Sequence, residues 1–241
     1  VPMVICPSPL LATICPNFAI GAEIRSFRGG VFVSEENELH VRNASQKRRD
    51  EFAAGRSCAA AALKSLGASS LEVGREPGGA PIWPYGATGS ISHTDQIAAA
   101  LVASAKEVRT IGLDVEQIGA VKSDLWPSLF SGAERTKLAQ TSDLFAQSVL
   151  ATMLFAAKEA FYKAQWPITR QWIDFLEVEV EVRGGNFVVH CQKHTAWEQG
   201  TRGPVLGAFA ISDDVVAAVI LVRSNHADGQ PYLNPLQIWP G

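Results

Sequence analysis

Ile111-Gly112-Leu113-Asp114-Val115-Glu116 alternates apolar and polar residues, the pattern of a strand with one apolar and one polar face. Side chains on a strand point alternately to its two faces, so Asp114 and Glu116 share one face and Leu113 and Val115 the other. The two carboxylates then stand roughly 7 Å apart, at a rise of about 3.3 Å per residue, and repel each other. A divalent cation between them removes that repulsion. An all-oxygen set suits Mg²⁺, which takes one or two carboxylates together with phosphate oxygens and water. Further along, Phe155-Ala-Ala-Lys158-Glu159-Ala-Phe-Tyr-Lys163 has helical spacing and puts Glu159 and Lys163 on one face, at i and i+4. A third carboxylate with an ammonium beside it completes a candidate site for a metal and a diphosphate. Each piece has a plainer meaning by itself. Asp-Val-Glu is also the ordinary wet face of a sheet, and Glu159 with Lys163 is an ordinary exposed pair contributing about 0.3–0.5 kcal/mol.

Outward from these stretches, the periodicities predict an α+β chain. Residues 23–33 read as one or two short strands with Gly29-Gly30 as a turn. Phe52, Ala59, Leu63 and Leu66 recur at helical spacing, which predicts a helix over 45–66 stopped by Gly67. The Gly- and Pro-rich stretch 68–90 reads as a structured loop in which Trp83 packs. A buried strand is expected at 97–103, the carboxylate strand at 111–116, then a loop with short helices over 117–143 and a long helix from about 143 to 164. Strands at 175–182 and 186–191 are joined by Gly184-Gly185, and 206–211 with 215–222 form a closing hairpin around Ser212-Asp213-Asp214. The chain divides into an N-terminal half, 1–108, and a C-terminal half, 109–241, each with one long helix and several strands.

Composition bounds what such a chain does. With 19% charged and 47% hydrophobic residues in 241, it is an ordinary globular protein. A net charge of −3 argues against a primary nucleic-acid role. Cys6, Cys15, Cys58 and Cys191 show no C-x-x-C spacing, so neither a zinc site nor a disulfide framework is expected. Residues 1–22 carry no charge and look superficially like a signal peptide, but lack its basic start. Pro2, Pro7, Pro9 and Pro16 are expected to break any helix there, leaving an extended stretch packed on the body. No run approaches the roughly 18 apolar residues of a membrane helix. A cytoplasmic monomer without membrane contact is expected.

Cations are few but grouped. Lys47, Arg48, Arg49 and Arg56 lie on one predicted helix. Arg48 and Arg56, eight residues apart, fall about 80° from each other around it. Both reach one side and suit bidentate contacts with a phosphate, although a solvated face is the plain alternative. Gly89-Ser90-Ile91-Ser92-His93 offers backbone N–H groups, hydroxyls and an imidazole in one short stretch read as a loop, a common way to hold phosphate.

Four ordered places in the chain together resemble the Sfp-type phosphopantetheinyl transferases, the branch that includes the enterobactin-synthase-associated enzymes. They are the basic helix start Lys47-Arg48-Arg49-Asp-Glu51-Phe52 through Arg56, the Pro81-Ile82-Trp83-Pro84 loop running into Gly89-Ser90-Ile91-Ser92-His93, the Gly112-x-Asp114-x-Glu116 strand, and the Phe155-x-x-Lys158-Glu159-x-x-x-Lys163 helix. Trp166-Pro167 and Asp174-Phe175 extend the likeness. One departure stands out. Many members carry a lysine just before the loop proline, where this chain has Gly78-Gly79-Ala80-Pro81, with Arg75 the nearest cation.

The resemblance implies two similar α+β halves related by a pseudo-twofold axis, with substrate between them. It implies transfer of 4′-phosphopantetheine from coenzyme A to a serine of an apo acyl or peptidyl carrier protein, with release of adenosine 3′,5′-bisphosphate. By the same resemblance Asp114, Glu116 and Glu159 hold Mg²⁺ and Glu159 also takes the serine proton. Lys163 or Lys158 meets the diphosphate, while Arg48, Arg56, Arg75, Ser92 and His93 grip coenzyme A. A non-catalytic coenzyme A or nucleotide-binding module and a metal-dependent phosphohydrolase are the alternatives. Leu125 to Phe130 is the expected carrier-docking region, with Trp126 or Phe130 partly exposed.

Overall fold

The computed structural model describes residues 6–25, 27, 35–191, 205–212 and 214–224. The expected Gly29-Gly30 turn and Asp213 lie outside them. Two compact units, 1–109 and 110–241, share the chain, and the division falls inside the strand that carries Asp114.

The first unit opens with β1 (Cys6–Pro7), α1 (Pro9–Ala12) and β2 (Ala19–Arg25), followed by α2 (Glu35–Leu39) and the long α3 (Gln46–Leu66). Pro9 does not break a helix there. It stands in the first turn of α1, where the missing N–H would have no partner anyway, behind the Ser8 cap. Helix α3 is bounded as its sequence predicts. The Ser45 hydroxyl accepts from Arg48 N, and Gly67 closes the helix in the left-handed region at φ 74°.

Beyond a small pair, β3 (Gly74–Arg75) with β4 (Pro81–Ile82), come β5 (Ala87–His93) and β6 (Ile97–Ser104). The antiparallel sheet runs β1-β2-β6-β5. The α3 face Ala54, Cys58, Ala59, Ala62 and Leu63 packs on Ala22, Ile24, Ala98, Ala100 and Val102. Small side chains bring the helix close to the sheet. A Cβ on Gly55 would lie 2.7 Å from Ile91 Cγ2.

In the second unit β7 (Val108–Gln117) leads through a 3₁₀ turn at Ser123–Leu125 to α4 (Trp126–Leu129), α5 (Gly132–Gln140) and α6 (Leu144–Thr169). Asp143 caps α6 through Ala146 N, and the helix runs past Pro167 to stop at Arg170, a residue at φ 55°. A second 3₁₀ turn, Phe175–Glu177, precedes β8 (Val178–Arg183), β9 (Asn186–Cys191), β10 (Val205–Ile211) and β11 (Val215–Arg223). The sheet order is β7-β11-β10-β9-β8. Ala157, Phe161 and their neighbours on α6 fill the core against Phe187, Phe209, Val216, Ala218 and Ile220. By length and composition α6 meets the test for a membrane span, yet half of that stretch is buried inside the unit. Cys15, Cys58 and Cys191 are free thiols. Both units are mixed helix and sheet, so the chain is α+β.

Candidate active site

Strand β7 and helix α6 carry the acidic cluster, and glycine lets them meet. A Cβ on Gly112 would stand 1.8 Å from the Ala160 carbonyl oxygen, so only glycine allows this crossing. Two positions earlier, the Thr110 hydroxyl donates to Ala164 O at 2.9 Å. Two positions later, Lys163 Nζ reaches back from α6 to Asp114 Oδ1 at 2.6 Å and Leu113 O at 3.1 Å. Spacing along one strand and one helix thus brings Asp114, Glu116, Glu159 and Lys163 into one electrostatic neighbourhood.

Asp114 is buried and Glu116 half-buried, so this is not the wet face of a sheet. Burial, then the charge of Asp114, pushes the Glu116 carboxyl up to about 8, with Glu159 adding to the rise and Lys163 opposing it. Glu159 is raised by burial and Asp114, again against Lys163. Such crowding is what a divalent cation relieves, and three carboxylates are the oxygen donors Mg²⁺ prefers. In this arrangement Asp114 turns onto Lys163. Among the described residues no three acidic, His or Cys side chains converge at ligating distance. The donor chemistry fits the cation.

A separate basic cluster sits in the first unit. Arg48 Nη1 lies 2.8 Å from His93 Nε2, and Glu51 lies 3.6 Å from Arg48 and 3.7 Å from His93 Nδ1. Arg56 donates to Gly74 O at 3.0 Å and stacks over the Phe52 ring. Its buried Nε–H makes no hydrogen bond among the described residues. Burial and then Arg75 pull Arg56 down to about 10, with Arg48 adding to the fall and Glu72 opposing it. The Arg75 guanidinium lies close to Gly79, in the tight Glu76–Ala80 turn just before Pro81. A buried guanidinium with two further cations acting on it marks a place for a multiply charged anion.

Two expectations need correction. Gly89–His93 is not a loop but part of β5, paired with β6 from Ala87↔Ser104 to His93↔Ala98. Strand alternation therefore puts buried Ser92 on the face opposite His93. The short, Gly- and Ser-rich segment has weak strand propensity; the all-apolar β6 beside it imposes the conformation. Lys158 is neither exposed nor turned to a diphosphate. Its ammonium is fully buried and donates to Glu134 Oε2, Leu129 O and Phe175 O, each at 2.8 Å. Burial pulls it below the usual lysine range, against Glu134. Glu51 and Glu134 were given no role from sequence. Glu51 had a signal, its i+3 and i+4 spacing from Arg48 and Lys47. Glu134 had only its capping-box position after Ser131. In the expected docking stretch Phe130 is core, Trp126 is half-buried and Leu125 is exposed.

The profile of the 4′-phosphopantetheinyl transferase superfamily matches residues 110–219, and that of the 4′-phosphopantetheinyl transferase N-terminal domain matches 35–103. The transferase Npt of Nocardia iowensis is 34% identical over 73% of this chain and 79% of its own length. The chain belongs to the 4′-phosphopantetheinyl transferase superfamily. PptT of Mycobacterium tuberculosis is 32% identical over 72% of this chain and 75% of its own. Enterobactin synthase component D of Salmonella typhimurium is 36% identical over 52% and 51%. The two phosphopantetheinyl transferase profiles divide the chain where the basic cluster gives way to the acidic one.

Proposed function

We propose that this phosphopantetheinyl transferase moves 4′-phosphopantetheine from coenzyme A to a serine hydroxyl of an apo acyl or peptidyl carrier protein, with Mg²⁺, as a cytoplasmic monomer. Family membership supports the transfer. The observation that carries the residue roles is the acidic cluster, where burial and then the charge of Asp114 raise Glu116 and Glu159 beside the Lys163 ammonium. Asp114, Glu116 and Glu159 would hold the metal, which supplies counter-charge to the diphosphate.

The serine oxygen bonds to the β-phosphorus, the bond from that phosphorus to the bridging oxygen breaks, and adenosine 3′,5′-bisphosphate leaves with the electron pair. Glu159 takes the serine proton, for which a raised carboxyl is well matched. Lys163 meets the charge gathering on the leaving diphosphate oxygens. Arg48, Arg56, Arg75 and His93 bind the 3′-phosphate end, and that binding energy orients the reacting end. No nucleophile of this chain takes part; alignment and charge neutralisation are what such a transfer needs.

Incubation with coenzyme A and Mg²⁺, with and without an apo carrier, followed by intact mass measurement, tests the proposal. Transfer gives a heavier carrier, and chelation by EDTA abolishes it until Mg²⁺ is restored. Bisphosphate release without a carrier indicates a hydrolase, and no reaction indicates a binding module; either overturns the proposal.

A further inference from the structure

We infer that the buried Lys158–Glu134 pair is the positioning element for Glu159, setting the roll of α6 so that the carboxylate faces Asp114 and Glu116. Both side chains are about 1% exposed, so the pair is desolvated on all sides. Every donor of the ammonium is matched, by Glu134 from α5, Leu129 O at the end of α4 and Phe175 O from the 3₁₀ turn before β8. Glu134 is saturated in turn. Its Oε1 accepts from Val180 N at 2.8 Å, and its Oε2 also accepts from Ser131 N at 2.7 Å. One lysine therefore ties α6 to three other segments of the unit, and Glu134 carries the tie on to β8.

Lys158 and Glu159 are neighbours on the helix, about 100° apart. With Lys158 locked on one side, the Gly112–Ala160 crossing and the Thr110–Ala164 bond hold the opposite side against β7. Glu159 lies between the two anchors. A buried ion pair is poor value for stability alone, since apolar residues of similar volume usually serve as well or better. What it adds is direction. Three short bonds with fixed acceptors admit one helix rotation, where an apolar side chain admits several.

Lys158 acts through Glu159 rather than on substrate, and the inference rests on the proposed role of Glu159. The test compares the neutral pair Lys158→Met with Glu134→Gln, which keeps an acceptor for Val180 N, in wild-type and Glu159→Gln backgrounds. Melting temperature, kcat, and KM for coenzyme A are measured for each. Expected are a folded protein, a 10- to 100-fold lower kcat, a KM within threefold, and no further loss when the neutral pair is added to Glu159→Gln. Glu134→Asp, which keeps both charges but draws the carboxylate back by one methylene, gives the same kcat-only loss and decides the matter if the neutral pair does not fold. Unchanged kcat, a raised KM alone, or a loss that multiplies with that of Glu159→Gln overturns the inference. Full activity in Glu159→Gln by itself overturns instead the role given to Glu159.

Discussion

Replacing Gly112 by alanine tests the crossing on which the acidic cluster depends. The added Cβ would sit 1.8 Å from Ala160 O, 2.8 Å from its carbonyl carbon and 3.0 Å from Ala164 Cβ. Ordinary contact begins at 3.4 Å, so strand and helix must part by about 1.5 Å, and the obstacle is backbone that cannot swing aside. Overpacking of well-packed cores costs about 1–3 kcal/mol, and backbone overlap belongs at the upper end. At about 2–4 °C per kcal/mol for a chain of this size, melting should fall by about 6–12 °C. Activity should fall further than stability. Asp114 is two residues beyond the crossing, and a misplacement of about 1 Å at a reacting site costs about 100-fold. The assay is carrier modification by intact mass, at a temperature where the variant is fully folded by circular dichroism. Gly132→Ala is the control, because nothing lies within 4 Å of its added Cβ. A Gly112→Ala protein with native melting and native rate would show that the crossing is not what brings the carboxylates together.

Glu116, raised to about 8 against an ordinary 4.5, contributes stability that is complete below about pH 4.5 and lost as pH climbs through 8. Metal-free protein should lose a few kcal/mol over that window. Glu116→Gln should flatten the loss in melts across pH, and a slope unchanged by the substitution refutes the shift. Arg56→Ala should raise KM for coenzyme A by about 10- to 100-fold, the worth of about 1.5–3 kcal/mol for a charge-assisted bond. KM for dephospho-coenzyme A should barely move, and an equal loss for both donors would place Arg56 away from the 3′-phosphate. Phe145 is 64% exposed on a cavity of about 450 Å³ that opens where β7 ends, beside Gln117 and Lys122. Phe145→Ala should raise KM for the carrier about tenfold, as loss of an aromatic anchor does, with coenzyme A binding by calorimetry unchanged. An unaltered carrier KM rules that face out as the docking surface.

Local patterns determined the elements. The stop at Gly67, the alternation through Asp114 and Glu116, and the Gly184-Gly185 turn are short-range signals, and each is where the sequence puts it. So are the residue types of the acidic cluster, because i,i+2 on a strand and i,i+4 on a helix fix which side chains share a face. The strand at Gly89–His93 was not legible, since its conformation comes from pairing with β6 rather than from its own residues. Nor was the fate of Lys158, whose acceptors lie at Leu129, Glu134 and Phe175 on three other segments. A lysine reads as exposed until the fold shows which carboxylate is buried against it. The crossing at Gly112 and the convergence of Arg75 on Arg56 belong to the same class. Periodicity specifies the face a residue occupies, whereas the residues meeting that face from distant segments are set by packing, and packing exists only in the folded chain.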